Sequence, residues 1–204
     1  MKHIIINVGR QLGSGGHDIG RMLALDFQAK YYDREILNLA AKESGLSEKI
    51  FEQNDEKKGF FRGLLNLGVP HLGGSDKPGF TQESLFQFQS EAIQKAAKEE
   101  SCVFVGRCAD YVLRDFKNVV NIFITASMEY RIEQIMNKQH LDFDAAQKFL
   151  EQKESDRASY YNYYTGKKWG AAESYDLCID SSVLGLMETE KIIAAFIRKR
   201  FEKG

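Results

Sequence analysis

The residues best placed to do chemistry are concentrated near the N terminus. Gly9-Arg10-Gln11-Leu12-Gly13-Ser14-Gly15-Gly16-His17 brings four glycines into eight residues. This stretch lies between a short β-branched run, His3 to Val8, and a helical pattern from Asp18 to Gln28 through Ile19, Met22, Leu23 and Phe27. In a strand, loop and helix of this kind, backbone N–H groups converge where the helix dipole is positive, and an anion is stabilised there. Gly13, Ser14, Gly15, Gly16 and His17 are therefore candidate phosphate ligands. The plainer alternative is a tight strand-to-helix turn, with His17 as its closing polar residue.

Two phosphate-loop patterns compete, and neither fits cleanly. The dinucleotide fingerprint G-x-G-x-x-G begins correctly at Gly13 and Gly15, but Asp18 takes the third glycine, while Asp33 stands where a ribose-binding acid belongs. The mononucleotide loop G-x-x-x-x-G-K-[ST], laid from Arg10, has Arg10 at its first glycine, Gly16 at its lysine and His17 at its hydroxyl. The loop alone does not decide between them.

The elements that must position this loop follow from the apolar pattern. Lys30 to Tyr32, Cys102 to Val105, Val119 to Ile124 and Leu177 to Ile179 read as short strands. Between them, helical spacing runs from Glu35 to Lys42, from a cap at Thr81 to about Lys98, from about Met128 to Lys138, and from Glu188 to Arg200. Ser47 is placed to cap a further short helix through Ile50 and Phe51, and Asp142 or Asp144 to cap one before Ala145. Short apolar strands alternating with helices predict a three-layer α/β/α domain with a central parallel sheet. Residues 1–204 form one such domain. From Asn54 to Phe80 the chain holds six glycines and both prolines and reads as an excursion from it.

Bulk composition excludes several classes. With 28 basic and 29 acidic residues the net charge is −1, so nothing in the overall field calls for a nucleic acid or an acidic membrane. Apolar runs such as Ile4 to Ile6 are far short of the roughly 20 residues of a membrane span, and the expected location is the cytoplasm. Cys102, Cys108 and Cys178 are odd in number and lack C-x-x-C spacing, which argues against a disulfide framework or a zinc site. Cys102 and Cys178, with apolar neighbours, are expected to be buried.

The loop and four later segments together resemble the cytidylate kinase-like family, a branch of the P-loop nucleoside monophosphate kinases with a variant loop. The segments are Tyr31-Tyr32-Asp33-Arg34-Glu35-Ile36-Leu37; Val103-Phe104-Val105-Gly106-Arg107-Cys108-Ala109-Asp110; Phe123 through Arg131; and Asp156-Arg157 through Gly170 with Tyr175 to Asp180. The resemblance covers nearly the whole chain except Asn54 to Phe80. It implies a helical acceptor-side insertion at about 34–100 and a lid at about 150–172. Cytidylate kinases proper have the loop lysine that this chain lacks.

The activity so implied is phosphoryl transfer from ATP, with Mg2+ accompanying the nucleotide, to a small acceptor such as CMP. Such a reaction depends mainly on positioning and charge stabilisation. By resemblance, Arg107 holds the acceptor phosphate, Asp33 and Arg34 line the acceptor site, and Arg157 closes over the transferring group. Arg10, Arg157 and Lys167 are the candidates to replace the loop lysine. No protein metal site is expected, since without a loop Ser/Thr the ion rests on phosphates and water, with Asp110 as a weak candidate carboxylate. Tyr160, Tyr161, Tyr163, Tyr164 and Trp169 either stack on a base or pack as a hinge beneath the lid. Nucleotide substrates are the expected partners, with a homodimer through the Thr81 helix or the Asn54 to Phe80 excursion as a further possibility. Two rival readings are a nucleotide-binding sensor with little turnover and a dinucleotide-dependent oxidoreductase.

Overall fold

A computed structural model describes residues 3–34 and 82–202. The expected helices between Glu35 and Phe51, the Asn54 to Phe80 excursion and the Thr81 cap lie outside the described residues. Five parallel strands form the sheet: β1 (Ile5–Arg10), β2 (Lys30–Tyr32), β3 (Cys102–Val105), β4 (Val119–Thr125) and β5 (Leu177–Asp180), in the order β2-β3-β1-β4-β5. Registers such as Val8 with Val105 on one side of β1 and Arg10 with Ile124 on the other hold the sheet in place.

Both faces of the sheet are covered, which is why its strands read as nearly unbroken apolar runs. On one face Ile6, Val8, Val103, Val105, Ile122 and Ile124 pack against α1 (Gly16–Asp26) and α6 (Ser181–Glu202) through Ile19, Leu23, Ile193 and Ile197. On the other, Ile5, Cys102, Phe104 and Val119 meet Ile93 and Ala97 of α2 (Gln82–Glu99) and Ala109 and Val112 of the short α3 (Ala109–Val112). A side chain such as Phe104 or Ile6, wholly removed from water, is worth about 2 kcal/mol in transfer free energy. Two more helices, α4 (Met128–Gln139) and α5 (Phe143–Thr165), form an antiparallel pair whose small core of Ile132, Ile135, Ala146 and Leu150 also takes in Leu12. The glycine loop is thereby wedged between the sheet and this pair.

Three sequence expectations are corrected. The first helix begins at Gly16 and ends at Asp26, because Gly15 leaves the helical region at its start and Gln28 reverses the chain with φ 49°. The last helical segment reaches back beyond Glu188 to Ser181, but Gly185 (φ 76°, ψ 171°) is not helical and divides it into a short first turn and the longer helix that follows. Cys178 is exposed, since β5 is an edge strand on which Leu177 and Ile179 turn toward the core and the intervening residue turns away. Asp142 caps α5 as expected, accepting from the Ala145 N–H at 2.8 Å. Of the basic C-terminal residues, Arg198 pairs with Asp26 of α1 and Arg200 with Asp176 before β5. No helix among the described residues is long and apolar enough to cross a membrane.

Candidate functional site

In this strand order the connection leaving β1 passes over β3 to reach β2, while the one leaving β3 passes over β1 to reach β4, so the two run in opposite directions and leave a crevice at the strands' carboxyl ends. Arg10 ends β1 there, and Gly106-Arg107 follows β3. A cleft of about 340 Å³ opens at this point, lined among others by Arg10, Arg34, Arg107, Asp110, Arg157 and Tyr160.

The loop leading from β1 is held from outside. The Gln11 N–H donates to the Ile124 carbonyl at 3.0 Å, and the Leu12 N–H to Glu154 Oε1 at 2.7 Å. Ser14 is fully buried, and its hydroxyl donates to the Gln11 carbonyl at 2.9 Å; its side chain therefore shapes the loop and does not face a ligand. No side chain caps α1. The N–H groups of Gly13, Gly15, Gly16 and His17 meet no acceptor among the described residues. Orphan donors clustered at a helix start are what an anion requires.

Arg10 crosses the position of the missing lysine. A Cβ on Gly16 would lie 2.5 Å from Arg10 Cβ and 2.7 Å from its Cγ. The guanidinium lies directly against Gly106, where a side chain would collide with Nη1. Its Nη2 is 3.2 Å from His17 Nε2, while Nε is buried without a partner. Because the guanidinium has only donors, Nε2 accepts, so Nδ1 carries the proton and donates to the Tyr31 hydroxyl at 3.0 Å. Burial, followed by the charge of Arg10, pushes the imidazole down to about 4. Burial, then the charges of Arg157 and Arg107, pushes Arg10 down to about 9 while leaving it cationic near neutral pH. These guanidinium groups repel one another across a cleft suited to an anion.

Arg157 comes from α5, and its Nη1 donates to the Arg10 carbonyl at 3.3 Å. Arg107 sits in a turn of three successive left-handed residues, Gly106 (φ 78°), Arg107 (φ 60°) and Cys108 (φ 58°). A non-glycine residue costs about 1–2 kcal/mol in this region, and such strain persists where the surroundings fix it. The fixing contacts are to Gln89 Oε1, at 2.9 Å from Nε and 2.7 Å from Nη2, and to the Tyr160 hydroxyl at 2.9 Å. Asp110 accepts from the Tyr161 hydroxyl at 2.6 Å, and burial pushes its carboxyl upward.

Arg10, Arg34, Arg107 and Arg157 are thus brought together. Asp33 is nearly buried and lies within the field of Arg10 and His17, an awkward place for a ribose ligand. Lys167 follows the end of α5, exposed and not lining the cleft, though its charge reaches Asp110, which does line it. Within the aromatic group Tyr164 stacks on Phe86 of α2 at 4.0 Å and Trp169 lies edge-on to Phe123 at 5.5 Å, while Tyr160, Tyr161 and Trp169 also line the cleft.

Two residues that hold the site together, Glu154 and Arg131, were not singled out by the sequence. Arg131 is nearly buried and donates from Nη1 to Glu154 Oε2 at 3.1 Å and from Nε to the Ala126 carbonyl at 3.1 Å. Glu154 therefore joins the loop, α4 and α5. The only sequence signal for it is its spacing of three residues from Arg157, an i,i+3 pair on one helix face.

The unpaired loop amides and the orphaned Arg10 Nε fit a polyphosphate. Among the described residues no group of three His, Cys, Asp or Glu side chains could hold a metal, and His17 offers no hydroxyl at the loop's Ser/Thr position. Isolated carboxylates suit a Mg2+ ion carried largely by phosphates and water.

The parallel sheet with a strand–loop–helix anion site and strand-end arginines defines a P-loop kinase fold. A gluconokinase from Sinorhizobium meliloti shares it with a TM-score of 0.55 at 14% identity, over 99% of this chain and 95% of that one. A solved but uncharacterized protein from Eubacterium ventriosum is closer, with a TM-score of 0.74 at 26% identity over 96% and 99% of the two chains. The chain belongs to the cytidylate kinase-like family, whose model matches residues 5–183. A cytidylate kinase of Sulfurisphaera tokodaii is 22% identical over 202 residues, spanning 98% of this chain and 99% of its own length.

Proposed function

We propose that the protein transfers the γ-phosphoryl group of ATP to a nucleoside monophosphate, with CMP as the acceptor suggested by the name of its relatives. One observation carries this reading: the guanidinium groups of Arg10, Arg107 and Arg157 face one crevice from three different elements, and the loop with its unpaired amides follows Arg10 directly. In this reading the triphosphate lies on the N–H groups of Gly13, Gly15, Gly16 and His17, with Arg10 in the part of the absent lysine. Arg107, aided by Arg34, binds the acceptor phosphate. Arg157 reaches over from α5 to the transferring group. An oxygen of the acceptor phosphate attacks the γ-phosphorus as the bond to the β-bridging oxygen breaks, giving a nucleoside diphosphate and ADP. Mg2+, when bound with ATP, supplies charge neutralisation between the phosphates. Donors fixed before reaction in a site sheltered from water stabilise the developing charge.

The test is ADP release from ATP with each nucleoside monophosphate in turn. Turnover that requires one of them supports the proposal. ATP binding without turnover on any acceptor favours instead a nucleotide-binding sensor, for which the missing loop lysine speaks.

A further inference from the structure

The Ser14–Gly15 peptide is oriented by a residue far away in sequence. Ser181, the first residue of α6, is fully buried, and its hydroxyl lies 2.7 Å from the Ser14 carbonyl. The Thr125 carbonyl at the end of β4 lies 3.1 Å from the same oxygen. A hydroxyl has one proton to donate, and the shorter contact makes Ser14 the principal acceptor. No other donor among the described residues reaches the Ser14 carbonyl.

A trans peptide is planar, so its carbonyl and the following N–H point in opposite directions. With the Ser14 carbonyl turned inward to Ser181, the Gly15 N–H is turned outward to the mouth of the loop. Gly15 holds φ 71° and ψ 10°, a left-handed conformation natural to glycine, and passes the chain directly into α1. In the reverse orientation a carbonyl oxygen would face the anion and repel it. The direction of this single peptide thus decides whether the loop attracts or opposes a phosphate.

We propose that Ser181 is a positioning residue for nucleotide binding, its hydroxyl holding the Ser14–Gly15 peptide so that the Gly15 N–H meets a phosphate oxygen. The proposal rests on the phosphate-binding reading of the loop. The turn that contains Ser181 is itself fixed, since Asp180 Oδ1 accepts from the Ser182 N–H at 2.8 Å.

The test compares ADP binding by the wild type, Ser181→Ala and Ser181→Thr, using calorimetry, with thermal denaturation of each. Losing one hydrogen bond to a charged group weakens binding by about 10-fold or more. That loss is expected for Ser181→Ala, with recovery to within about 3-fold in Ser181→Thr, which keeps the donor. A merely structural serine would lower the melting temperature and leave the ADP dissociation constant unchanged; that result overturns the proposal. Should the alanine variant fail to fold, the wild type alone decides through the Gly15 amide proton resonance, which shifts downfield on saturation with ADP if the N–H meets phosphate. An unmoved resonance in the ADP-bound protein overturns the proposal. A wild type that binds neither ADP nor ATP overturns the loop reading first, and no variant is needed to see it.

Discussion

Arg10 and Gly16 occupy one another's space: the arginine's Cβ and Cγ pass within 2.5 Å and 2.7 Å of where a Cβ on Gly16 would stand. In the mononucleotide pattern these are the first glycine and the lysine, so the chain has the large cation and the small residue exchanged. Restoring lysine in Gly16→Lys is therefore expected to lower phosphoryl transfer by about 100-fold, the scale of losing one stabilising cation. Arg10→Gly should lose a similar amount. The double variant Arg10→Gly/Gly16→Lys should exceed either single one in steady-state kinetics. A lysine at 16 that raised turnover with Arg10 in place would contradict the exchange.

The left-handed turn at Arg107 makes a separate claim about stability. Arg107→Ala and Arg107→Gly both remove the contacts to Gln89 and Tyr160, but only glycine relieves the φ of 60°. Arg107→Gly is expected to be the more stable of the two by about 1 kcal/mol, or about 3 °C in melting temperature. Both should bind the acceptor poorly. Equal melting temperatures would show that the turn is unstrained.

His17 gives a pH dependence of fixed sign. Its pKa falls from 6.5 to about 4 on folding, mainly through burial, so the unfolded chain binds more protons between those values. Stability from this group is complete above pH 6.5 and is lost as pH falls toward 4. Between pH 7 and pH 5 the loss amounts to at most about 2 kcal/mol. Denaturant titrations of the wild type and His17→Gln at both pH values isolate it, since the variant should lose less on acidification.

Glu154→Ala leaves Arg131 charged and nearly buried and the Leu12 N–H without its acceptor. Stranding one partner of such a pair costs about 3 kcal/mol, expected as a fall of about 9 °C in thermal denaturation. Glu154→Gln keeps an oxygen for Leu12 and should fall between the two.

The sheet was legible because buried parallel strands leave continuous apolar runs, as Cys102 to Val105 and Val119 to Ile124 do. The loop was legible from glycine density, and Arg107 from its place after an apolar strand and Gly106. What the sequence could not show depends on three-dimensional crossing. Lys167 and Arg157 were equal candidates until α5 carried one into the cleft and the other past it. Nothing local marks Ser181, whose partner Ser14 is 167 residues away, or Gln89, which meets Arg107 only because α2 packs over β3. Cys178 was misread because apolar neighbours in a strand do not reveal whether that strand lies at a sheet's edge.

The most direct test of the central claim is a crystal structure with a non-hydrolysable ATP analogue. The expected result has phosphate oxygens about 3 Å from the N–H groups of Gly15, Gly16 and His17, with a guanidinium nitrogen of Arg10 on the same phosphates. An analogue bound away from this bend, or bound there with Arg10 turned aside and no cation in its place, would contradict it.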